Sequence, residues 1–117
     1  IPSSWTTEPA ALLAPLRPLV RDADFVLLNI EGAIGEGRTG SKCGPRSTMC
    51  YAFRMPPSAA GALRALRDSA TIVGNVANNH SRDAGGAGFD STVAHLARAG
   101  VVTTGADTLA TAAVTLA

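Results

Sequence analysis

The chain has 117 residues, a formal net charge of +1, 46% hydrophobic and 16% charged residues, which describes one domain with enough apolar material for a core and excludes a disordered segment. The near-neutral charge comes with no basic run, so nothing points to nucleic acid or an anionic membrane surface. No stretch reaches about 18 uninterrupted apolar residues, which excludes a transmembrane helix within it. The first residue is Ile1 and the sequence stops inside an Ala/Thr/Leu-rich stretch, so residues 1–117 are expected to be a partial domain of a longer protein.

Thr6-Thr7-Glu8-Pro9 reads as a helix start, and Leu12, Leu13, Leu16, Leu19 and Val20 recur at helical spacing. Pro15 and Pro18 interrupt that pattern, so the helix proper is placed near Pro15, where a first-turn proline loses little. The segment Asp24-Phe25-Val26-Leu27-Leu28 is apolar on both faces, as a buried parallel strand is. It ends in Asn29 and Glu31, which alternation puts on one face, with Ile30 on the other.

Residues 32–52 carry Gly32, Gly35, Gly37, Gly40 and Gly44 and read as a long loop, a flap over the rim of the sheet. Arg38, Lys42 and Arg46 within it suit an anionic ligand or are simply solvated loop charges. Cys43 and Cys50, seven apart, suit a disulfide that staples this loop and would favour an oxidising compartment. The alternative is a pair of free thiols; a zinc site lacks a second Cys or His pair. Tyr51 to Met55 forms a short strand, closed by Pro56-Pro57.

Ser58 suits the N-cap of a helix with Ala59, Ala62, Leu63 and Leu66 on one face and Arg64 and Arg67 toward solvent. A second apolar strand, Thr71 to Val76, softened by Gly74 and Asn75, ends in Asn78-Asn79-His80. Asp83 then suits the cap of a helix striped by Phe89, Val93, Leu96 and Ala97, with His95 on its solvent side, and Gly100 ends it. Val101-Val102-Thr103 is a short strand, 105–107 a turn and 109–116 the start of another helix. Strands and helices alternate, so the fold class is α/β, mainly parallel βαβ units with right-handed crossovers.

Ligands bind outside the carboxyl ends of strands in such sheets. Two strands ending in Asn29/Glu31 and Asn78-Asn79-His80 bring a carboxylate, carboxamide oxygens and an imidazole to one rim. Hard divalent cations take the oxygens and imidazole suits Mn, Fe or Zn, so a site with two metals that polarises a phosphoryl or acyl group is one reading. The other is that Glu31 and Asn78 only cap and turn the chain.

Asn29-Ile30-Glu31-Gly32, Phe53-Arg54-Met55-Pro56-Pro57, Ala77-Asn78-Asn79-His80 with Asp83 and Gly85, then Thr92, Leu96, Gly100 and Gly105 resemble the CapA family of capsule and poly-γ-glutamate synthesis proteins. That family resembles the calcineurin-like metallophosphoesterases, whose dinuclear centre sits at the strand ends of a β-sandwich flanked by helices. The resemblance implies a fragment of that sandwich, with Glu31 and Asn79 as ligands of two divalent ions (Mn, Fe, Zn or Mg), His80 as the catalytic histidine, and Asn29 and Asn78 in support. It further implies a metal-dependent hydrolase acting outside the cytoplasm on an anionic polymer or a phosphoester or acyl substrate, beside a membrane synthesis machinery.

The family's opening Gly-Asp motif is expected before residue 1 and its later His motifs after residue 117, so these residues alone are expected to be inactive. A non-catalytic module that binds the anionic polymer through Arg38, Lys42 and Arg46 is the alternative function.

Overall fold

A computed structural model describes residues 8–36 and 52–106. The first element, α1 (Pro9–Leu13), opens on a proline and passes into a 3-10 helix over Ala14–Val20. The regular helix therefore precedes Pro15 rather than starting there. Pro18 cannot donate to the carbonyl four residues back and its ring crowds that carbonyl, so the chain tightens to the 3-10 spacing.

The main sheet has the order β1-β4-β5, all parallel, with β1 at Phe25–Asn29, β4 at Thr71–Asn75 and β5 at Val102–Thr104. Register runs from Phe25 opposite Thr71 to Asn29 opposite Asn75, and Asn75 in turn faces Thr104. Asn29, Asn75 and Thr104 thus form one row at the carboxyl edge. The two parallel pairs are connected through α2 (Ser58–Arg64) and α3 (Gly85–Ala99), as the alternating pattern requires. The α/β class with a mainly parallel sheet stands.

The core gathers Val26, Ile30, Ile72, Val76, Phe89 and Leu96, with Ala60 from α2. Central β4 buries Ile72, Val73 and Gly74 in succession. A Cβ at Gly74 would lie 3.0 Å from Ile30 Cγ1, so the missing side chain lets the end of β1 close over β4. Edge strand β1 departs from expectation: Val26 is buried, but Phe25 and Leu27 are 42% and 60% exposed. Its one face packs inward while the described residues leave the other uncovered.

A second sheet pairs β2 (Ala33–Ile34) with β3 (Arg54–Met55) in parallel. It divides the stretch read as one long loop: Ala33 N–H donates to Phe53 O at 3.1 Å and Gly35 N–H to Met55 O at 3.0 Å. The strand read over Tyr51 to Met55 is observed at Arg54 and Met55. Arg38, Lys42, Arg46, Cys43, Cys50 and the helix expected over 109–116 lie outside the described residues.

Ser58 does not cap α2, which starts at Ser58 itself after Pro57 with no side-chain cap. Leu66 is buried beyond the helix end, and Ala60 joins Ala59 on the inward face. Arg64 and Arg67 are half-buried rather than solvated, because their guanidinium groups satisfy carbonyls that the local turns leave over: Arg64 Nη1 donates to Arg67 O at 3.1 Å and Arg67 Nε to Ala23 O at 2.7 Å.

Along α3 the inward stripe is Phe89, Thr92 and Leu96, with Val93 at its margin and Ala97 exposed. Thr92 is nearly fully buried because its hydroxyl accepts Ile34 N–H at 2.9 Å and donates to Gly88 O at 2.8 Å, tying α3 to β2. His95, expected toward solvent, is half-buried near Gly35. Gly100 ends α3 in the left-handed region at φ 88°, as its sequence position implies.

Candidate functional site

The parallel register delivers the site. With Asn29 opposite Asn75, the turns that follow β1 and β4 leave the sheet side by side, and their side chains interlock. Asn29 Oδ1 accepts from Asn75 Nδ2 at 3.2 Å and from Asn78 Nδ2 at 3.0 Å, while Asn29 Nδ2 donates to Glu31 Oε1 at 2.6 Å. This last bond shows Asn29 and Glu31 on one side, as alternation implied. Ile30 points the other way and is 3% exposed.

Asn78 is the hinge of the cluster. Its Nδ2 also donates to Ile30 O at 2.9 Å, and its Oδ1 accepts the backbone N–H of His80 at 2.9 Å. A carboxamide alone can do both, because it carries donor and acceptor on one rigid plane. The turn is locked from below by buried Ser81, whose hydroxyl donates to Val76 O and accepts Asn78 N–H.

His80 Nδ1 lies 2.7 Å from Asp83 Oδ2, and the same oxygen accepts Phe53 N–H at 2.6 Å. Asp83 is 0% exposed, and 14% of the His80 side chain is accessible. Phe53 lays its ring against the imidazole, centroids 4.6 Å apart and planes 43° apart. An ionised carboxylate only accepts, so Nδ1–H donates to Asp83 and Nε2 lies on the opposite edge of the ring.

Asp83 is therefore no helix cap; α3 starts after Ala84 without any side-chain cap. A carboxylate this deeply buried requires partners that favour its charge, and the imidazole and the Phe53 amide supply them. The sequence signal was the three-residue step from His80 to Asp83, which a tight turn brings face to face. Asn75, read as a soft spot in its strand, is the other residue the cluster adds.

Glu31, Asn29 and Asn78 are brought together, and Asn78 links them to the backbone of His80. Asn79 is exposed and, with Asn78, Arg82, Phe89 and Gly105, lines a cavity of about 480 Å³ beside the turn; His80 is not one of its walls.

Among the described residues no three His, Cys, Asp or Glu side chains come together as a metal cage. The donors are of the right kind, a carboxylate, carboxamide oxygens and an imidazole nitrogen, but too few here to hold an ion by themselves.

The oriented His-Asp pair and the carboxylate-carboxamide cluster stand at the carboxyl edge of a parallel α/β sheet, where ligands bind in open α/β folds. The family model described as bacterial capsule synthesis protein PGA_cap matches residues 3–116. The chain belongs to that family, as its motifs implied. No curated protein and no solved structure matches it. Among the described residues no helix is long and apolar enough to cross a membrane.

Proposed function

We propose that this chain contributes the acid–base part of a hydrolytic site to a capsule synthesis protein, acting on an anionic capsule polymer outside the cytoplasm. The observation that carries this reading is the clamp on His80. Asp83 holds Nδ1, the Phe53 ring holds the plane, and Asn78 holds the backbone, so the imidazole has one orientation and Nε2 one direction. Such a fixed ring donates a proton to a leaving group or takes one from an attacking water without first being ordered. Asp83 stabilises the protonated ring as it forms, because its charge is already in place and unscreened by water.

Glu31 and Asn79 are our candidates for holding divalent ions, two in the complete site, with the remaining ligands supplied by residues outside this cluster. Bound there, the ions would polarise the scissile group. Residues 1–117 form part of a larger domain in this reading, and the partners are the polymer and its membrane-bound synthesis machinery.

The test is turnover of the full-length protein. His80→Gln is expected to lower kcat per folded molecule by about 100-fold or more, and to lower the thermal midpoint as well because buried Asp83 loses the Nδ1 donor. Asp83→Asn keeps an acceptor oxygen but removes the charge, and is expected to lower kcat by about tenfold to 100-fold. Wild-type turnover in His80→Gln would sink the hydrolytic reading. Polymer binding without any turnover in the wild type, insensitive to chelation, would make the site a binding module instead.

A further inference from the structure

We propose that the cavity beside the Asn78-Asn79-His80 turn is an oxyanion subsite, in which Arg82 binds a carboxylate or phosphate group of the anionic chain. The proposal rests on the hydrolytic reading for its substrate and adds to it where that substrate is held. Arg82 is exposed, two residues along the turn from His80, and its Cζ lies 4.4 Å from the centroid of the Phe89 ring. Phe89 is 6% exposed and fixed in the core, so the ring is a rigid bench for the guanidinium. At that distance the negative face of the ring attracts the cation without using any of its N–H donors.

Several other arginines have polar partners. Arg54, Arg64 and Arg67 donate to backbone carbonyls, and Arg21 sits 3.6 Å from Asp22. Among the described residues no carboxylate lies within ion-pair distance of Arg82. Its charge is thus held over an aromatic ring, with no carboxylate partner among the described residues, at the wall of a cavity of about 480 Å³ that Asn78 and Asn79 also line. A planar fork of donors matches a carboxylate or phosphate in two parallel bonds. A repeating anionic chain suits this layout, because one acidic group rests on Arg82 while the neighbouring part of the chain meets the turn at His80.

The experiment is calorimetric titration of the full-length protein with a glutamate oligomer and, separately, with inorganic phosphate. Arg82→Gln is expected to weaken binding by about tenfold or more, with the thermal midpoint held. Arg82→Lys is expected to fall between, since an ammonium keeps the charge and loses the fork. His80→Gln is expected to bind as wild type does. Arg82-dependent binding of the oligomer alone assigns a carboxylate, and of phosphate alone a phosphate group; either supports the subsite. Equal affinity in wild type and Arg82→Gln, or no binding of either probe by the wild type, overturns it. Should His80→Gln retain turnover while the Arg82 dependence persists, the hydrolytic reading falls and the subsite stands.

Discussion

The two edges of the same parallel sheet are closed by different chemistry. At the amino edge, Thr71 N–H donates to Asp24 O at 3.0 Å and Arg67 Nε to Ala23 O at 2.7 Å, so backbone groups and a guanidinium that spans the gap satisfy the chain. At the carboxyl edge the closing groups are carboxamides: Asn75 and Asn78 both donate to Asn29, which holds Glu31, and Asn78 holds the His80 backbone. The first arrangement uses up its polar groups on the fold. The second arranges polar groups around a turn and directs an imidazole with a buried carboxylate, and the difference is why chemistry is expected at only one edge.

The largest expected effect lies between the edges and should not distinguish them. Leu96 is fully buried under the sheet, and Leu96→Ala is expected to cost about 2–5 kcal/mol in denaturant unfolding. A loss confined to activity would mean that the core does not couple the two ends.

Next comes a substitution at the carboxyl edge. Asn78→Ala removes two donated bonds and one accepted bond, and is expected to cost about 1–3 kcal/mol and to lower turnover together, because the Ile30 carbonyl and the His80 amide lose their partner. Wild-type turnover in a folded Asn78→Ala protein would show that the carboxamide cluster is scaffolding alone.

The smallest effect is at the amino edge. Arg67→Met keeps an apolar stem and deletes the donor to Ala23 O, with an expected cost of about 0.5–1.5 kcal/mol and unchanged kcat. A drop in kcat beyond what unfolding explains would erase the contrast.

Alternation and helical spacing made most of the architecture legible: the two strands ending in Asn29 and in the Asn78-Asn79-His80 turn, the parallel class, the Gly100 stop, and Glu31 beside Asn29. Each depends on neighbours a few residues apart, where backbone geometry dictates which side chains share a face. The family resemblance rode on the same local motifs. Other features depend on groups distant in the chain. Asp83 has the residue type and position of a cap, yet Phe53, 30 residues away, donates the N–H that helps keep it buried against His80. Thr92 accepts from Ile34 across 58 residues, which is why a hydroxyl stands in an apolar stripe.

Phe25 and Leu27 have the composition of a two-sided buried strand, and only the position of β1 at the sheet edge leaves one face uncovered by the described residues. The sequence by itself determined the strand order of polar and apolar groups and therefore which residues reach the rim, because a strand's two-residue period and a helix's 3.6 leave little choice. Only tertiary structure decided what those groups bond to: that a would-be cap also takes the Phe53 N–H while it holds His80, and that Arg82 sits over the Phe89 ring with no carboxylate partner among the described residues. The His80–Asp83 step is local, but the burial of Asp83 and its bond from Phe53 arise from the meeting of distant segments, which no local pattern encodes.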